Sequence, residues 1–424
     1  MDFLGVILGL GFGILFIYYA LLNWNEMRYN RKKKGLPPGT MGWPVIGETT
    51  RFLKQGPDFL KNQRARYGAL FKSHILGSPT VVCMDPELSR HILMNEGKGF
   101  VPGYPQSMMD IMGKSNIAAV TGSLHKTMRA SILGLLGASV IKGQLLPKID
   151  QFMRSHLRSW SHEIIDIQQK SKEMAFLLML KQAASTETNP FAEAIKAELF
   201  QLVLGTFSLP INLPGTNYHR ALEARKKIIC MLTEIIEERR ASSSLHHDML
   251  DCLLQPEEGS KAKLTNDQII DVIIALIYSS YETVSTTSMM AVKYLHDHPK
   301  ILEDLRNEHL EIRKGKLPGD ALNSNDYKSM NFTRAVILET LRMASIVKGV
   351  LRKTTEDIEI RGFVIPKGWK IILYMGEMNY DPCLYHEPLT FNPRRWMDEN
   401  LEAHQLFFGG GSIWVEQEIK KGNK

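Results

Sequence analysis

Two constellations in this chain of 424 residues hold side chains that could do chemistry. The first is Glu282-Thr283, preceded by Ser279-Ser280-Tyr281, in the middle of a long apolar stretch. An acid and an alcohol at the centre of a buried helix are costly unless they are satisfied or put to use. Thr283 can bond back to the carbonyl four residues earlier while Glu282 finds a partner, or the pair can serve a reaction. The segment alone leaves both open. The second is Glu339-Thr340-Leu341-Arg342, whose spacing puts both charges on one helical face. Arg395, in Phe391-Asn392-Pro393-Arg394-Arg395-Trp396, arrives from a proline-fixed loop and could close a buried Glu–Arg–Arg cluster. Such a cluster holds only when every charge is hydrogen-bonded.

These residues need elements to position them. Thr265 and Gln268 form a capping box, apolar residues run unbroken from Val272 to Ile277, and the pattern continues to His296, before Pro299. That predicts a helix of about 30 residues, roughly 45–50 Å long, buried on all sides. Helical patterns dominate from Leu88 to about Leu254, broken at Pro147, Pro190, Pro210 and Pro214, with a polar, ambiguous stretch from Ser159 to Ala197. Val81 to Met84 reads as a short strand. Ile358-Glu359-Ile360 and Trp369 to Tyr374 read as strands joined through Ile365-Pro366-Lys367-Gly368. The expectation is a mainly helical body with small β-sheets and no linker dividing it. No GxGxxG after a strand, P-loop, HExxH or GxSxG occurs, and the histidines are not at metal spacing, so no protein metal site is predicted.

Composition narrows the class further. Hydrophobic residues are 44% and charged residues 23%, an ordinary globular balance. The net charge of +7 is concentrated in Arg28 and Arg31 to Lys34, leaving the remainder nearly neutral, which argues against a nucleic-acid partner. Cys83, Cys230, Cys252 and Cys383 form no CxxC pair. Residues 3–22 carry no charge and would reach about 30 Å as a helix, enough to cross a hydrocarbon core. Residues 1–24 are therefore expected to be a retained membrane anchor, with the basic cluster on the cytosolic side. Residues 25–40, ending in Leu36-Pro37-Pro38-Gly39, are expected to be a stiff hinge.

The elements in this order resemble the cytochrome P-450 family of haem-thiolate monooxygenases. They are the anchor, the hinge with Gly42-Trp43-Pro44-Val45-Ile46-Gly47-Glu48, the central helix with Glu282-Thr283, ETLR and FxPxRW. The stretches YETVSTTSMMAVKYLHDHP, VLRKTTEDIEIRGFVIPKGW and MNYDPCLYHEP are most similar to plant brassinosteroid C-6 oxidases. The resemblance implies a cytochrome P-450 fold over residues 41–411 and haem b as cofactor. It implies an NADPH-cytochrome reductase and a steroid as partners, and an endoplasmic reticulum membrane location, single-pass, with the body facing the cytosol. Glu282 and Thr283 match the acid–alcohol pair that relays protons. Glu339, Arg342 and Arg395 match the structural cluster behind the haem. Arg352, and His125 with Arg129 one helical turn apart, match residues that reach the haem propionates; without the family, His125 and Arg129 read as an exposed helix face. Phe408 and Gly411 open the haem loop.

The resemblance then departs from the family's F-x-x-G-x-R-x-C-x-G. Ile413 stands where the arginine belongs and Val415 where the axial cysteine belongs. Residues 412–424 form a divergent tail, so the sequence is expected to be a truncated, haem-poor and non-catalytic product, or else the haem ligand must come from elsewhere. A related oxidase of another plant terpenoid hormone is a further possibility. Ser280 replaces a usual glycine, Gly376 a usual arginine and Arg394 a usual tryptophan.

Overall fold

The chain folds as a unit that carries the β-sheets and a unit that is helical. In the computed structural model the described residues are 12–13, 16–21, 23–30, 35–134, 145–160, 164–185, 190–206, 208–242, 246, 248–254, 264–317 and 319–397. Among them, residues up to Gly103 together with Val347–Pro388 form the first unit, and 104–346 with 389–397 form the second. The anchor expected at 1–24 and the tail at 412–424 lie mostly or wholly outside the described residues; 12–13 and 16–21 are helical.

The first unit holds helices α1 (Trp24–Asn30), α2 (Thr49–Gln55), α3 (Pro57–Tyr67) and α4 (Pro86–Met94) and the seven strands found among the described residues. β1 (Leu70–Ile75), β2 (Ser78–Cys83), β3 (Phe100–Pro102), β4 (Gly349–Thr354) and β7 (Lys370–Tyr374) form a sheet in the order β1-β2-β7-β4-β3. β5 (Ile358–Ile360) pairs only with β6 (Phe363–Ile365). The two strands expected around Ile365–Gly368 thus belong to different sheets, because Lys370–Tyr374 is drawn between β2, in parallel, and β4, antiparallel. Leu76 and Gly77, both at positive φ, make the two-residue turn that closes β1 on β2. The unbroken apolar run in β2 follows from burial on both faces. Val81 and Cys83 pack with Met41, Ile92 and Ile371, while Val82 packs with Phe59 and Phe71.

The GWPVIGE segment is an organising turn of this unit. Glu48 is buried and accepts from Thr40 Oγ1 at 2.9 Å, Gln63 Nε2 at 3.2 Å and Ser73 Oγ at 2.7 Å. Gly47, at φ 64°, lies so close to β1 that a Cβ would sit 2.1 Å from the His74 carbonyl oxygen. Part of the expected hinge, 25–40, is the end of α1. This helix is fastened to the unit: Asn25 Nδ2 donates to Met41 O at 3.1 Å and Trp43 O at 2.5 Å, and Glu26 Oε1 accepts from Met41 N at 2.8 Å.

The second unit contains α5 (Gln106–Met112), α6 (Gly122–Gly134), α7 (Leu146–Arg158), α8 (Ile167–Ala184), α9 (Pro190–Thr206), α10 (Asn217–Ala241), α11 (Met249–Leu254), α12 (Asn266–Asp297), α13 (Pro299–Arg313), α14 (Ser324–Ser329) and α15 (Asn331–Ala344). Pro147 and Pro190 start helices rather than break them, since proline is tolerated in the first turn. The ambiguous stretch from Ser159 becomes α8 and the start of α9. Buried Phe176, Leu177, Leu180, Ile195 and Leu199 supply the apolar stripe that the polar composition masks. α12 has the Thr265–Gln268 capping box and runs for 32 residues. Its first part is buried from Ile269 to Ala275, but Ser279 and Val284 are exposed and Thr286 to Met290 half-buried, so burial on all sides holds only for that first part. Among the described residues it is the one helix long and apolar enough to cross a membrane, and its buried residues place it in the core of this unit.

Candidate active site

The charge cluster is the most completely determined part of the site. Glu339 and Arg342, one turn apart on α15, are both 0% exposed. Arg342 grips Glu339 side-on, Nε to Oε2 at 2.9 Å and Nη2 to Oε1 at 2.8 Å. Pro393 starts the short 3-10 helix Pro393–Met397, which brings Arg395 Nε to Glu339 Oε1 at 3.0 Å. The sequence reasoning missed two further donors. The Asn392 backbone N–H donates to Oε1 at 2.9 Å, and the Trp396 indole donates to Oε2 at 2.8 Å. Their proximity to Arg395 in sequence was the available signal. The desolvation of a carboxylate so surrounded is offset donor by donor. Arg394, at the usual tryptophan position, points instead to Asp304, 2.8 Å away, and over the Phe332 ring.

On α12 the acid–alcohol pair is in its satisfied arrangement. Thr283 Oγ1 donates to Ser279 O at 2.7 Å. Glu282, with its side chain 34% exposed, meets Lys172 of α8 at 3.4 Å, and Lys172 also lies over the Tyr281 ring. Ser280 is buried and donates to Ile277 O at 3.0 Å. Thr287 and Ser288 bond back in the same way, so the hydroxyls of this stretch compete with the backbone ladder rather than with solvent. Burial pushes the Tyr281 phenol above its usual range, with the Lys172 charge acting against that rise. Glu282 is thus an acceptor paired with Lys172, and Thr283 a hydroxyl whose proton is committed to Ser279 O.

The remaining expected residues are distributed. His125 and Arg129 lie half-buried on α6 of the second unit, not on a fully exposed face. Arg352 lies in β4 of the first unit, buried, and donates to Leu351 O at 3.0 Å and Glu96 Oε2 at 2.7 Å. Phe408 and Gly411 lie outside the described residues.

The family model described as Cytochrome P-450 matches residues 37–412. The chain belongs to the cytochrome P-450 family. Cytochrome P-450 85A1 of Brachypodium distachyon is 60% identical over 420 residues, covering 98% of this chain and 90% of that protein. A more distant relative, the 3beta,22alpha-dihydroxysteroid 3-dehydrogenase of Arabidopsis thaliana, is 37% identical over 92% of this chain and 84% of its own length. The solved structure of retinoic acid bound cyanobacterial CYP120A1 matches with a TM-score of 0.80 at 26% identity, covering 92% of this chain and 90% of that one. The mainly helical fold with small sheets is therefore the cytochrome P-450 fold, and the family's cofactor is haem.

The donors of this chain fit that cofactor in one half and not in the other. Arg352 is buried with its Nε lacking an acceptor, which leaves a donor for a carboxylate. Val415, which the resemblance puts at the axial position, lies outside the described residues; a valine side chain cannot ligate iron. The cysteines do not replace it. Cys83 is buried in β2 against Ser89 and Asp85, where burial raises its thiol pKa. Cys230 is exposed on α10, Cys252 is half-buried on α11, and Cys383 is exposed in the Asp381 turn. Among the described residues no cluster of His, Cys, Asp or Glu could hold a metal. No step through the iron follows from these residues.

Proposed function

We propose that this chain has the framework of a plant steroid oxidase that converts the C-6 methylene of a brassinosteroid precursor to a ketone. The observation that carries this is the 60% identity to a cytochrome P-450 85A1 over 98% of this chain. The steroid name of the 37% relative supports the substrate class. Haem, when bound in this family, supplies the activation of dioxygen. This chain's residues would do the rest. Glu282 and Thr283 would hold and pass protons, Arg352, His125 and Arg129 would receive the propionates, and Glu339, Arg342 and Arg395 would keep the surrounding backbone in place. Residues 1–24 would anchor the protein in the endoplasmic reticulum membrane, 25–40 would join the anchor to the body, and the body would meet an NADPH-cytochrome reductase in the cytosol.

A second reading has its own observation. If Ile413 and Val415 take the arginine and cysteine positions of the haem loop, as the resemblance implies, the chain would be a non-catalytic member of this framework. The test expresses the full chain in microsomes with a plant reductase and feeds a steroid bearing a C-6 methylene. No ketone from the chain as written, and ketone from the double variant Ile413→Arg, Val415→Cys, is the expected pair of results. Ketone from the unaltered chain overturns the second reading. Oxidation of the steroid at another carbon by the double variant overturns the first.

A further inference from the structure

Arg352 has an unequal set of partners. Nη1 donates to Leu351 O at 3.0 Å and Nη2 to Glu96 Oε2 at 2.7 Å, whereas Nε is buried without an acceptor. The Nε–Nη2 edge of a guanidinium is a fork matched to the two oxygens of one carboxylate. Glu96 fills one prong of it. Arg352 itself has little freedom. It is 8% exposed, and its backbone is paired on both sides, with Pro102 of β3 and Ile371 of β7. It also cannot shed its charge.

Glu96 differs in each respect. Its side chain is 33% exposed, and it stands on the turn between α4 and β3. That turn contains Gly97 and Gly99, both at positive φ. A buried arginine needs a counter-charge, but a half-exposed glutamate can exchange its ion pair for water at small cost. We propose that Glu96 is a placeholder carboxylate. It neutralises Arg352 while the site is empty and yields the Nε–Nη2 edge to a ligand carboxylate, namely a porphyrin propionate. This rests on the reading of Arg352 as a propionate-binding residue.

The test uses the full-length chain in nanodiscs and two iron-free probes, protoporphyrin IX and its dimethyl ester, titrated by fluorescence. Without iron, the axial position does not enter the measurement. Glu96→Gln is expected to tighten binding of the diacid about fivefold, the worth of one partly exposed ion pair, and to leave the ester unchanged. Glu96→Asp, which keeps the charge and shortens its reach, is expected to fall between, and it decides the matter if the glutamine variant does not fold. Arg352→Gln is expected to reduce the preference for diacid over ester. Loss of that preference in Arg352→Gln, together with unchanged or weaker diacid binding in Glu96→Gln, overturns the placeholder role and leaves the propionate reading standing. An unaltered preference in Arg352→Gln overturns that reading itself.

Discussion

Replacing Glu339 by glutamine tests the charge cluster with almost no change of shape. The carboxylate takes Arg342 through both oxygens, Arg395 and the Asn392 N–H through Oε1, and the Trp396 indole through Oε2. A glutamine keeping its oxygen at the Oε1 site retains acceptance from Arg395 and Asn392. Its amide then faces Arg342 Nε and Trp396 Nε1, two donors that it cannot satisfy. Two buried guanidinium groups also lose their only shared negative charge among the partners described. Breaking a buried ion pair costs about 3–5 kcal/mol. A natural domain holds only about 5–15 kcal/mol. With a urea m-value near 3 kcal/mol per molar, the midpoint should fall by roughly 1–1.7 M. Circular dichroism of the helical signal in detergent reads this directly. Glu311→Gln, at an exposed pair with Lys314, is the control and should move the midpoint by less than about 0.3 M. A shift for Glu339→Gln no larger than that of the control would refute the reasoning.

Gly113 sits at φ 93°, where a Cβ would lie 2.1 Å from the Asp271 carboxylate, so Gly113→Ala should lower the melting temperature and loosen the Asp271 pairing with Arg225 and Ser115; an unchanged melt would show that the loop gives way freely. Tyr218 donates to Asp110 at 2.7 Å and its pKa is pushed up to about 12 by burial first and by that carboxylate second. Its contribution is fully present below pH 10 and should be lost as pH rises towards 12, so one phenol titrating near pH 12 in an ultraviolet titration should vanish in Tyr218→Phe. Burial, with the Arg28 charge behind it, holds His74 below its usual value of 6.5. The unfolded chain therefore takes up a proton that the fold excludes, and stability should fall as pH drops below 6.5, less steeply in His74→Gln. Asn25→Ala, by freeing α1 from Met41 and Trp43, should speed tryptic cleavage in the basic stretch beyond it; an unchanged rate would place the fastening elsewhere.

Much of this was legible in the sequence because strong local signals coincide with burial. The Thr265–Gln268 box and the apolar run after it give α12, and ETLR with Arg395 gives the cluster. Other features depend on tertiary partners. Trp396 and Asn392 acquire their roles only when the loop closes on Glu339. Lys172 meets Glu282 across α8, which polar residues had disguised as an irregular stretch. Strand β7 follows β6 closely in sequence yet joins β2 and β4, since sheet order is set by crossover packing rather than by sequence adjacency. Glu96 carries no motif at all, and only the geometry at Arg352 singles it out.

The most direct measurement is the absorbance spectrum of the full chain, reduced and exposed to carbon monoxide, beside that of the Ile413→Arg, Val415→Cys variant. The account predicts no thiolate-type Soret band for the chain as written. A thiolate-type band from the unaltered chain would contradict it and would require another residue to hold the iron.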